Sequence, residues 1–328
     1  MIARAEIEAA RHRISPHVRE TPTEKSSSLS ALCGVPVWLK LEHHQTTGSF
    51  KLRGATNAIL QLSEDARRRG VVTASTGNHA RAVAHAARAL GTAATICMSE
   101  LVPDNKVRAV RELGARVIIV GRSQDEAMEE VDRLVSAEGL VVVPPFDAPD
   151  VVAGQGTLGL EIVESVPDVT CVVVPVSGGG LAAGVAAAVK ELRPLAHVVG
   201  VTMDRGAAMK ASLEAGRPVQ VEEVPSLADS LGGGIGLDNQ LTFPMCRALL
   251  DDLVLVDEGE IATGIRHAYS HEGQIVEGSG AVGIAALLAG KVTALDGPTV
   301  IVLTGRNIDM SLHQQVINGH DGPSEATP

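Results

Sequence analysis

One lysine stands in a setting that could make it a nucleophile. The segment from Gln45 to Gly54 reads QTTGSFKLRG, so Lys51 follows the apolar Phe50 in a turn of small residues, where a helix should begin. Partial burial and the positive end of a helix both favour the neutral amine, which can attack a carbonyl carbon and form an imine. Most lysines extend their ammonium into water, so an ordinary surface lysine is the alternative.

A second motif is a glycine-rich turn after an apolar run. Residues 172–176 read VVVPV, and the turn that follows consists of Ser177, Gly178, Gly179, Gly180 and Leu181. A strand-to-helix turn of this kind exposes backbone N–H groups beside a helix N-terminus, where a phosphate can bind. Gly178, Gly180 and Ala183, with Asp204 after the next strand, also fit a relaxed dinucleotide-binding pattern, and a purely structural turn is a third possibility.

A third turn follows a predicted strand at 71–74 and is rich in hydrogen-bonding groups. It consists of Ser75, Thr76, Gly77, Asn78 and His79. Hydroxyls, backbone amides and an Asn amide at a helix N-terminus could bind a carboxylate. Capping of the next helix by Ser75, Thr76 or Asn78 is the simpler alternative.

Two more polar residues lie at the ends of predicted elements. Thr304 follows a predicted strand at 299–303, at the sheet edge where α/β proteins bind ligands. Glu277 precedes a glycine-rich helix start and could simply cap that helix. His43 and His44 suggest a metal site, but neighbours on an extended segment point to opposite faces, and no acidic or cysteine partner has ligand spacing. We therefore expect no metal site.

Composition excludes several classes of partner. The net charge is −11 and no basic cluster stands out, so we expect no binding to nucleic acid or to anionic membranes. The four cysteines lack metal-ligand spacing and are typical of a reducing compartment. The N-terminus has no apolar signal core, and no apolar run approaches the length of a membrane span. We expect a cytoplasmic protein.

Alternation of strands and helices indicates an α/β fold. After an N-terminal amphipathic helix, strands are predicted at 37–41, 71–74, 94–98, 116–120, 140–143, 171–176, 197–202, 253–256 and 299–303. Repeated β-α-β spacing is typical of a parallel, doubly wound sheet. The strands up to residue 147 predict a smaller domain at 48–147, and residues 1–47 together with 148–328 predict a larger, discontinuous one. Residues 318–328 are predicted to be a frayed tail.

Together the motifs resemble those of the fold-type II pyridoxal-phosphate enzymes, specifically the threonine dehydratase and serine racemase family. The resemblance covers nearly the whole chain, in the family's order. It implies a two-lobed α/β fold like that of tryptophan synthase β, with parallel open sheets flanked by helices. It also implies pyridoxal 5'-phosphate as cofactor, a small amino acid as substrate, and a homodimer.

The resemblance also implies roles for the motif residues. Lys51 would hold the cofactor as an imine and then remove the substrate's Cα proton, so that the β-hydroxyl leaves and a 2-oxo acid and ammonia form. The cofactor-binding residues would be Lys51, Phe50, Asn78, Ser177, Gly178, Gly179, Gly180, Leu181, Glu277 and Thr304. The substrate carboxylate would bind to Ser75, Thr76, Gly77, Asn78 and His79.

The match is closer still to the hydroxyectoine utilization dehydratases, a subgroup that segments 39–48 and 229–239 resemble. A catabolic L-threonine or L-serine dehydratase is the alternative. A nicotinamide-dependent oxidoreductase and a non-catalytic ligand-binding relative are more distant ones.

Several positions depart from the family pattern. Ser177 replaces a glycine, and Thr76 stands where serine racemases carry a serine base, which does not favour racemisation. Thr202 occupies a glutamate position of the racemases' cation site, so no structural cation is expected. The family's regulatory domain is also not expected after residue 328.

Overall fold

The computed structural model describes residues 1–102 and 104–323. Residues 324–328, in the segment predicted to be frayed, lie outside the described part. The helices are α1 (Arg4–Ile14), α2 (Ser27–Cys33), α3 (Lys51–Gln61), α4 (Glu64–Arg69), α5 (Asn78–Ala89), α6 (Asp104–Glu112), α7 (Gln124–Glu138), α8 (Pro149–Ser165), α9 (Gly180–Leu192), α10 (Ala208–Ala215), α11 (Thr242–Leu249), α12 (Glu258–Ser270), α13 (Gly278–Leu288) and α14 (Met310–Ile317).

The strands form two sheets. They are β1 (Thr23–Ser26), β2 (Val37–Lys40), β3 (Val71–Ala74), β4 (Ala94–Met98), β5 (Arg116–Ile119), β6 (Val141–Val142), β7 (Cys171–Pro175), β8 (His197–Met203), β9 (Asp252–Val256) and β10 (Thr299–Val302). Short 3₁₀ helices at Glu42–His44 and Asp229–Leu231 join some of these elements.

The larger sheet has the strand order β1-β2-β10-β7-β8-β9. All neighbouring pairs are parallel except β1 with β2. The central strand β7 reads CVVVP and is buried throughout, as expected for a parallel strand covered by helices on both faces. Trp38 on β2 lies between Lys25 of β1 and Val300 of β10.

The smaller sheet has the strand order β5-β4-β3-β6, with all pairs parallel. Helices α5 and α7 pack against it. Its four strands all fall within the predicted domain at 48–147. The exact boundaries of the two domains stay a prediction.

Close packing of α8 against α9 depends on glycine. A Cβ on Gly184 would lie 2.4 Å from the Val152 carbonyl oxygen and 2.7 Å from the Gly156 nitrogen. A Cβ on Gly159 would lie 2.8 Å from the Val185 carbonyl oxygen. Any larger residue would push the helices apart, so these glycines set the distance between α8 and α9.

The predicted parallel α/β fold is confirmed. The predicted strands at 71–74 and 94–98 match β3 and β4 to the residue, and Ser123 with Glu126 forms a capping box on α7. The antiparallel β1 was missing from the prediction. Within the described residues, no helix combines the length and apolar character needed to cross a membrane.

Candidate active site

Two adjoining cavities are lined by the residues that the sequence proposes for cofactor and substrate binding. The inner cavity has a volume of about 440 Å³ and is lined by Phe50, Lys51, Asn78, Phe146, Ser177, Gly178, Gly179, Gly180, Leu181, Ser230, Ser279, Glu277 and Thr304, among others. The outer cavity has a volume of about 950 Å³ and is lined by Lys51, Ser75, Thr76, Gly77, Asn78, His79, Lys106, Phe146, Glu223, Asp229, Ser230 and residues 232–234, among others.

Lys51 is the first residue of α3 and faces both cavities. Its Nζ donates a hydrogen bond to the Pro145 carbonyl oxygen at 2.7 Å. Protein surrounds the ammonium, and this desolvation lowers the pKa of Lys51 to about 8. The neutral amine is therefore far more populated near neutral pH than in an ordinary lysine, as a nucleophile or base requires.

The glycine loop, residues 177–181, joins β7 to α9. Gly179 has φ of 88°, in the region that favours glycine, and no side chain caps α9. The backbone N–H groups of residues 177–180 have no acceptor among the described residues. A Cβ on Gly178 would lie 2.3 Å from the Phe146 ring, and one on Gly180 would lie 3.0 Å from the Phe146 Cα. The loop thus leaves free N–H donors in a space that larger residues would close.

Asn78 and Glu277 meet across the inner cavity. Asn78 Nδ2 donates to Glu277 Oε1 at 2.6 Å, and Asn307 Nδ2 donates to Asn78 Oδ1 at 2.5 Å. The Asn307 backbone N–H donates to Glu277 Oε2 at 2.9 Å. Burial, together with the Asp229 carboxylate, raises the pKa of Glu277 to about 7. The capping role suggested for Glu277 is wrong, because its side chain makes no cap bond to α13.

The turn at residues 75–79 leads into α5 without a side-chain cap. Gly77 is the N-cap, and Ser75, Thr76 and Asn78 make no capping bond, so the capping alternative is wrong. His79 Nε2 donates to the Val143 carbonyl oxygen at 2.9 Å. Burial and the nearby Lys51 lower the pKa of His79 to about 3, so the imidazole is neutral. The free N-terminus of α5 at the outer cavity suits an anion such as a carboxylate.

Thr304 follows β10 and closes the inner cavity beside α13. Its Oγ1 donates to the Ser279 carbonyl oxygen at 3.4 Å, and its own carbonyl accepts from the Phe50 N–H at 3.1 Å. An isolated bridge between Ser49 and Gly305 ties the same strand end to the lysine turn. These contacts hold Lys51 and Thr304 in one cavity although they are far apart in sequence.

Four helices start at the cavities without a side-chain cap, namely α3, α5, α9 and α13. Elsewhere, Ser63, Ser123, Asp257 and Asp309 cap α4, α7, α12 and α14, whereas α1, α8, α10 and α11 also start without a side-chain cap. Uncapped N-termini carry partial positive charge. Their convergence makes the site attractive to an anionic ligand.

Sequence reasoning missed several residues that line the cavities. Ser230 and Ser279 line the inner cavity, and Asn307 hydrogen-bonds to Asn78 and Glu277. All three sit beside residues in motifs that the sequence did single out, so proximity in sequence was the available signal. Phe146 has no such signal, since an isolated Phe indicates only a core residue. Asp204, from the dinucleotide pattern, lies at a separate surface cavity with Arg205 and Lys210.

A family model described as pyridoxal-phosphate dependent enzyme, PALP, matches residues 14–305. The chain belongs to this family. It is therefore an enzyme that uses pyridoxal phosphate, and the nicotinamide and non-catalytic alternatives are set aside.

Relatives narrow the class of this pyridoxal-phosphate enzyme. The chain is 69% identical over 313 residues to a putative threonine dehydratase of Sinorhizobium fredii, covering 95% of this chain and 94% of the relative. It is 44% identical over 318 residues to an L-threonine ammonia-lyase of Thermotoga maritima, covering 97% and 79%. Maize serine racemase superposes with a TM-score of 0.91 at 33% identity, covering 97% of this chain and 98% of that one. The enzyme is a lyase of the threonine dehydratase type.

The donor set of the inner cavity fits pyridoxal phosphate. Free loop N–H groups suit a phosphate, and Lys51 supplies the amine that can bind the cofactor's aldehyde carbon. The buried Ser279 Oγ has no hydrogen-bond partner within the described residues. Together with the Thr304 hydroxyl it offers a neutral polar surface to the pyridine ring. A group of three or more His, Cys, Asp or Glu side chains able to hold a metal is absent from the described part of the chain.

Proposed function

We propose that this enzyme removes water from a β-hydroxy α-amino acid, and that hydrolysis of the resulting enamine then gives a 2-oxo acid and ammonia. The observation that carries the proposal is the buried amine of Lys51 in one cavity with the uncapped glycine loop. Pyridoxal phosphate, when bound, supplies an electron sink for the electrons released at the substrate's Cα. The protein supplies binding, orientation and a base.

Each motif has a proposed role in that reaction. The N–H groups of residues 177–181 would bind the phosphate, and Asn78, bonded to Glu277, would hold the ring's phenolic oxygen. The uncapped start of α5 binds the substrate carboxylate. Lys51 Nζ takes the Cα proton, since its lowered pKa keeps part of the amine neutral. The neutral hydroxyl of Thr304 would stabilise a protonated pyridine nitrogen less than a carboxylate would, which should favour prompt loss of the β-hydroxyl.

Replacement of Lys51 tests the function directly. Lys51→Ala should abolish turnover and the borohydride-sensitive visible absorption of bound cofactor. Lys25→Ala is the matched control, because Lys25 lies exposed on β1. A Lys51→Ala enzyme that kept both turnover and the absorption band would contradict the proposal.

For the substrate, we propose a hydroxylated diamino acid formed in hydroxyectoine breakdown. Cyclic hydroxyectoine has no free primary amine, whereas its ring-opened, deacylated product, a hydroxy-diaminobutyrate, has one. The carboxylate of Glu223 lines the outer cavity and would suit a second ammonium on such a substrate. Threonine and serine meet the same chemical requirements and are the alternative substrates.

Direct product assays separate these substrates. We expect ammonia and 2-oxo acid to form faster from the hydroxy-diaminobutyrate than from threonine or serine. Glu223→Gln should raise KM for the diamino substrate and leave KM for threonine unchanged. Fast turnover of threonine alone would reject the ectoine proposal and leave the dehydratase chemistry intact.

We further propose a cytoplasmic homodimer. The support is the family resemblance and the four free cysteines. Light scattering on the purified enzyme should give twice the chain mass of 34.0 kDa. A mass equal to one chain would contradict the dimer.

A further inference from the structure

The glycine loop is held from outside the inner cavity by residues at the start of α11. Thr242 Oγ1 donates a hydrogen bond to the Gly178 carbonyl oxygen at 2.7 Å. Asn239 Nδ2 donates to the same Thr242 Oγ1 at 2.7 Å. Both side chains are buried, and neither belongs to a motif with an assigned role. Asn239 ends the segment 229–239, whose function the reaction does not explain.

The direction of the Gly178 carbonyl decides where the next N–H points. In a trans peptide the C=O and N–H point in opposite directions, and cis peptides are absent from the described residues. With its carbonyl turned to Thr242, the peptide directs the Gly179 N–H away from α11. Gly179 lines the inner cavity, whereas Thr242 lies outside its lining. The hydrogen-bond relay from Asn239 through Thr242 to Gly178 therefore turns the Gly179 N–H toward the inner cavity.

A second contact acts on the next peptide in the same sense. Cys246 Sγ lies 3.7 Å from the Gly179 carbonyl oxygen, as a weak donor. A Cβ on Gly179 would lie 3.0 Å from this sulfur and 3.1 Å from the Thr242 Cβ. The Gly179 carbonyl oxygen also accepts from the Ala183 N–H at 2.8 Å in the first turn of α9, and together these two contacts direct the Gly180 N–H to the opposite side of the peptide.

The relay has a fixed polarity. A threonine hydroxyl has one hydrogen, and an oxygen that accepts from Asn239 donates that hydrogen to Gly178. Asn239 is itself held, because its Oδ1 accepts from the Phe243 N–H at 2.8 Å. Asp147 Oδ1 accepts from the Thr242 N–H at 2.8 Å and so anchors the start of α11.

We propose that Asn239 and Thr242 are positioning residues for the cofactor's phosphate group. Their hydrogen-bond relay sets the peptides of the glycine loop so that the loop's N–H groups face the inner cavity. This inference rests on the proposed phosphate-binding role of the loop.

The test compares binding of pyridoxal phosphate with binding of pyridoxal, which lacks the phosphate. Both are titrated into the full-length apoprotein and followed by absorbance. Thr242→Val keeps the shape and removes the hydroxyl, so Kd for pyridoxal phosphate should rise about tenfold while Kd for pyridoxal stays the same. Thr242→Ser restores the donor and should restore wild-type affinity. Asn239→Ala removes only the orienting donor and should raise Kd about threefold.

Thr299→Val is the matched control, because Thr299 is a buried threonine whose hydroxyl donates to the Gly297 carbonyl oxygen. It should bind both ligands as the wild type does. Unchanged affinity in Thr242→Val, or equal weakening for both ligands, would overturn the relay. If Thr242→Val does not fold, Asn239→Ala decides by the same comparison. A wild type that binds both ligands equally well would instead overturn the loop's phosphate role.

Discussion

At the scale of single residues, the reactive lysine should cost the folded protein stability. The folded state lowers the pKa of Lys51 from 10.5 to about 8, so it binds that proton less tightly than the unfolded chain does. The destabilisation is full below pH 8 and disappears as the pH rises through 10.5.

Lys51→Met should therefore stabilise the apoprotein at neutral pH. We expect the free energy of unfolding to rise by up to about 3 kcal/mol, because each pKa unit corresponds to about 1.4 kcal/mol. Urea denaturation at neutral pH and above pH 10.5 measures the effect, and the gap from the wild type should close at the higher pH. A gap that is independent of pH, or one shared by Lys25→Met, would contradict this account.

Replacement of Arg53 should have the opposite effect and lower the free energy of unfolding. Its guanidinium is buried and binds Glu42 at 2.7 Å and Glu161 at 2.6 Å. Arg53→Met should cost about 3–5 kcal/mol, since it leaves two carboxylates buried with fewer partners. The matched control is Arg11→Met, whose partner Glu164 also lies on α8 but whose ion pair is exposed, and it should cost less than about 1 kcal/mol. Equal losses in urea denaturation would show that burial does not set the cost.

The sequence predicts the chemical role of a residue where its neighbours in the chain determine its surroundings. Lys51 and the glycine loop belong to this group, because a local turn and a helix start create their setting. Thr242 and Phe146 do not, because their contacts with the loop arise only from the fold. The extended geometry expected for His43 and His44 is wrong. They lie in a 3₁₀ helix, and both rings approach Gln274.

At the scale of elements, the position of the glycine loop depends on how α9 packs on α8. Gly184→Ala should push α9 away, because its Cβ would lie 2.4 Å from the Val152 carbonyl oxygen. We expect a loss of about 1–3 kcal/mol in stability and weaker binding of pyridoxal phosphate. The contrasting variant is Gly259→Ala on α12, where a Cβ meets only an ordinary contact at 3.5 Å. It should be neutral or stabilising by up to about 1 kcal/mol in thermal unfolding.

Comparison of the two variants tests the packing argument. If Gly184→Ala were as well tolerated as Gly259→Ala, the α8 and α9 interface would not be set by glycine. Retained cofactor affinity with lost stability would show that the interface supports the fold without positioning the loop.

Strands were predictable where burial on both faces leaves an apolar run in the sequence. The buried strand β7 is an apolar run, and β3 and β4 are also buried throughout. Strand β1 reads TEKS and lies at the edge of the sheet, so only its last residue is buried. It pairs with β2 through backbone hydrogen bonds, and a polar edge strand of this length leaves no alternation to detect.

At the scale of the whole molecule, α6 connects the two sides of the outer cavity. Lys106 Nζ lies 3.2 Å from Asp229 Oδ2, and Asn105 Nδ2 donates to Asp309 Oδ2 at 3.1 Å. Both acidic partners belong to the part of the chain that carries the larger sheet. These contacts should help to hold the cavity closed over a substrate.

Lys106→Met should accordingly weaken substrate binding and spare the cofactor. We expect KM to rise about two- to fivefold with pyridoxal phosphate affinity unchanged, because an exposed ion pair contributes little. High salt should bring the wild type toward the variant. Lys210→Met, which removes a pair within α10, is the control and should leave KM unchanged. A fall in cofactor affinity would contradict the role proposed for Lys106 in substrate binding.

The chain's only tryptophan gives it an optical property. Trp38 sits within the larger sheet, partly buried against its main core. With a single indole in the molecule, the tryptophan fluorescence has one source. Its emission overlaps the absorption of bound pyridoxal phosphate, so energy transfer should quench it as the cofactor enters. The unmodified protein therefore carries its own fluorescent reporter of cofactor occupancy.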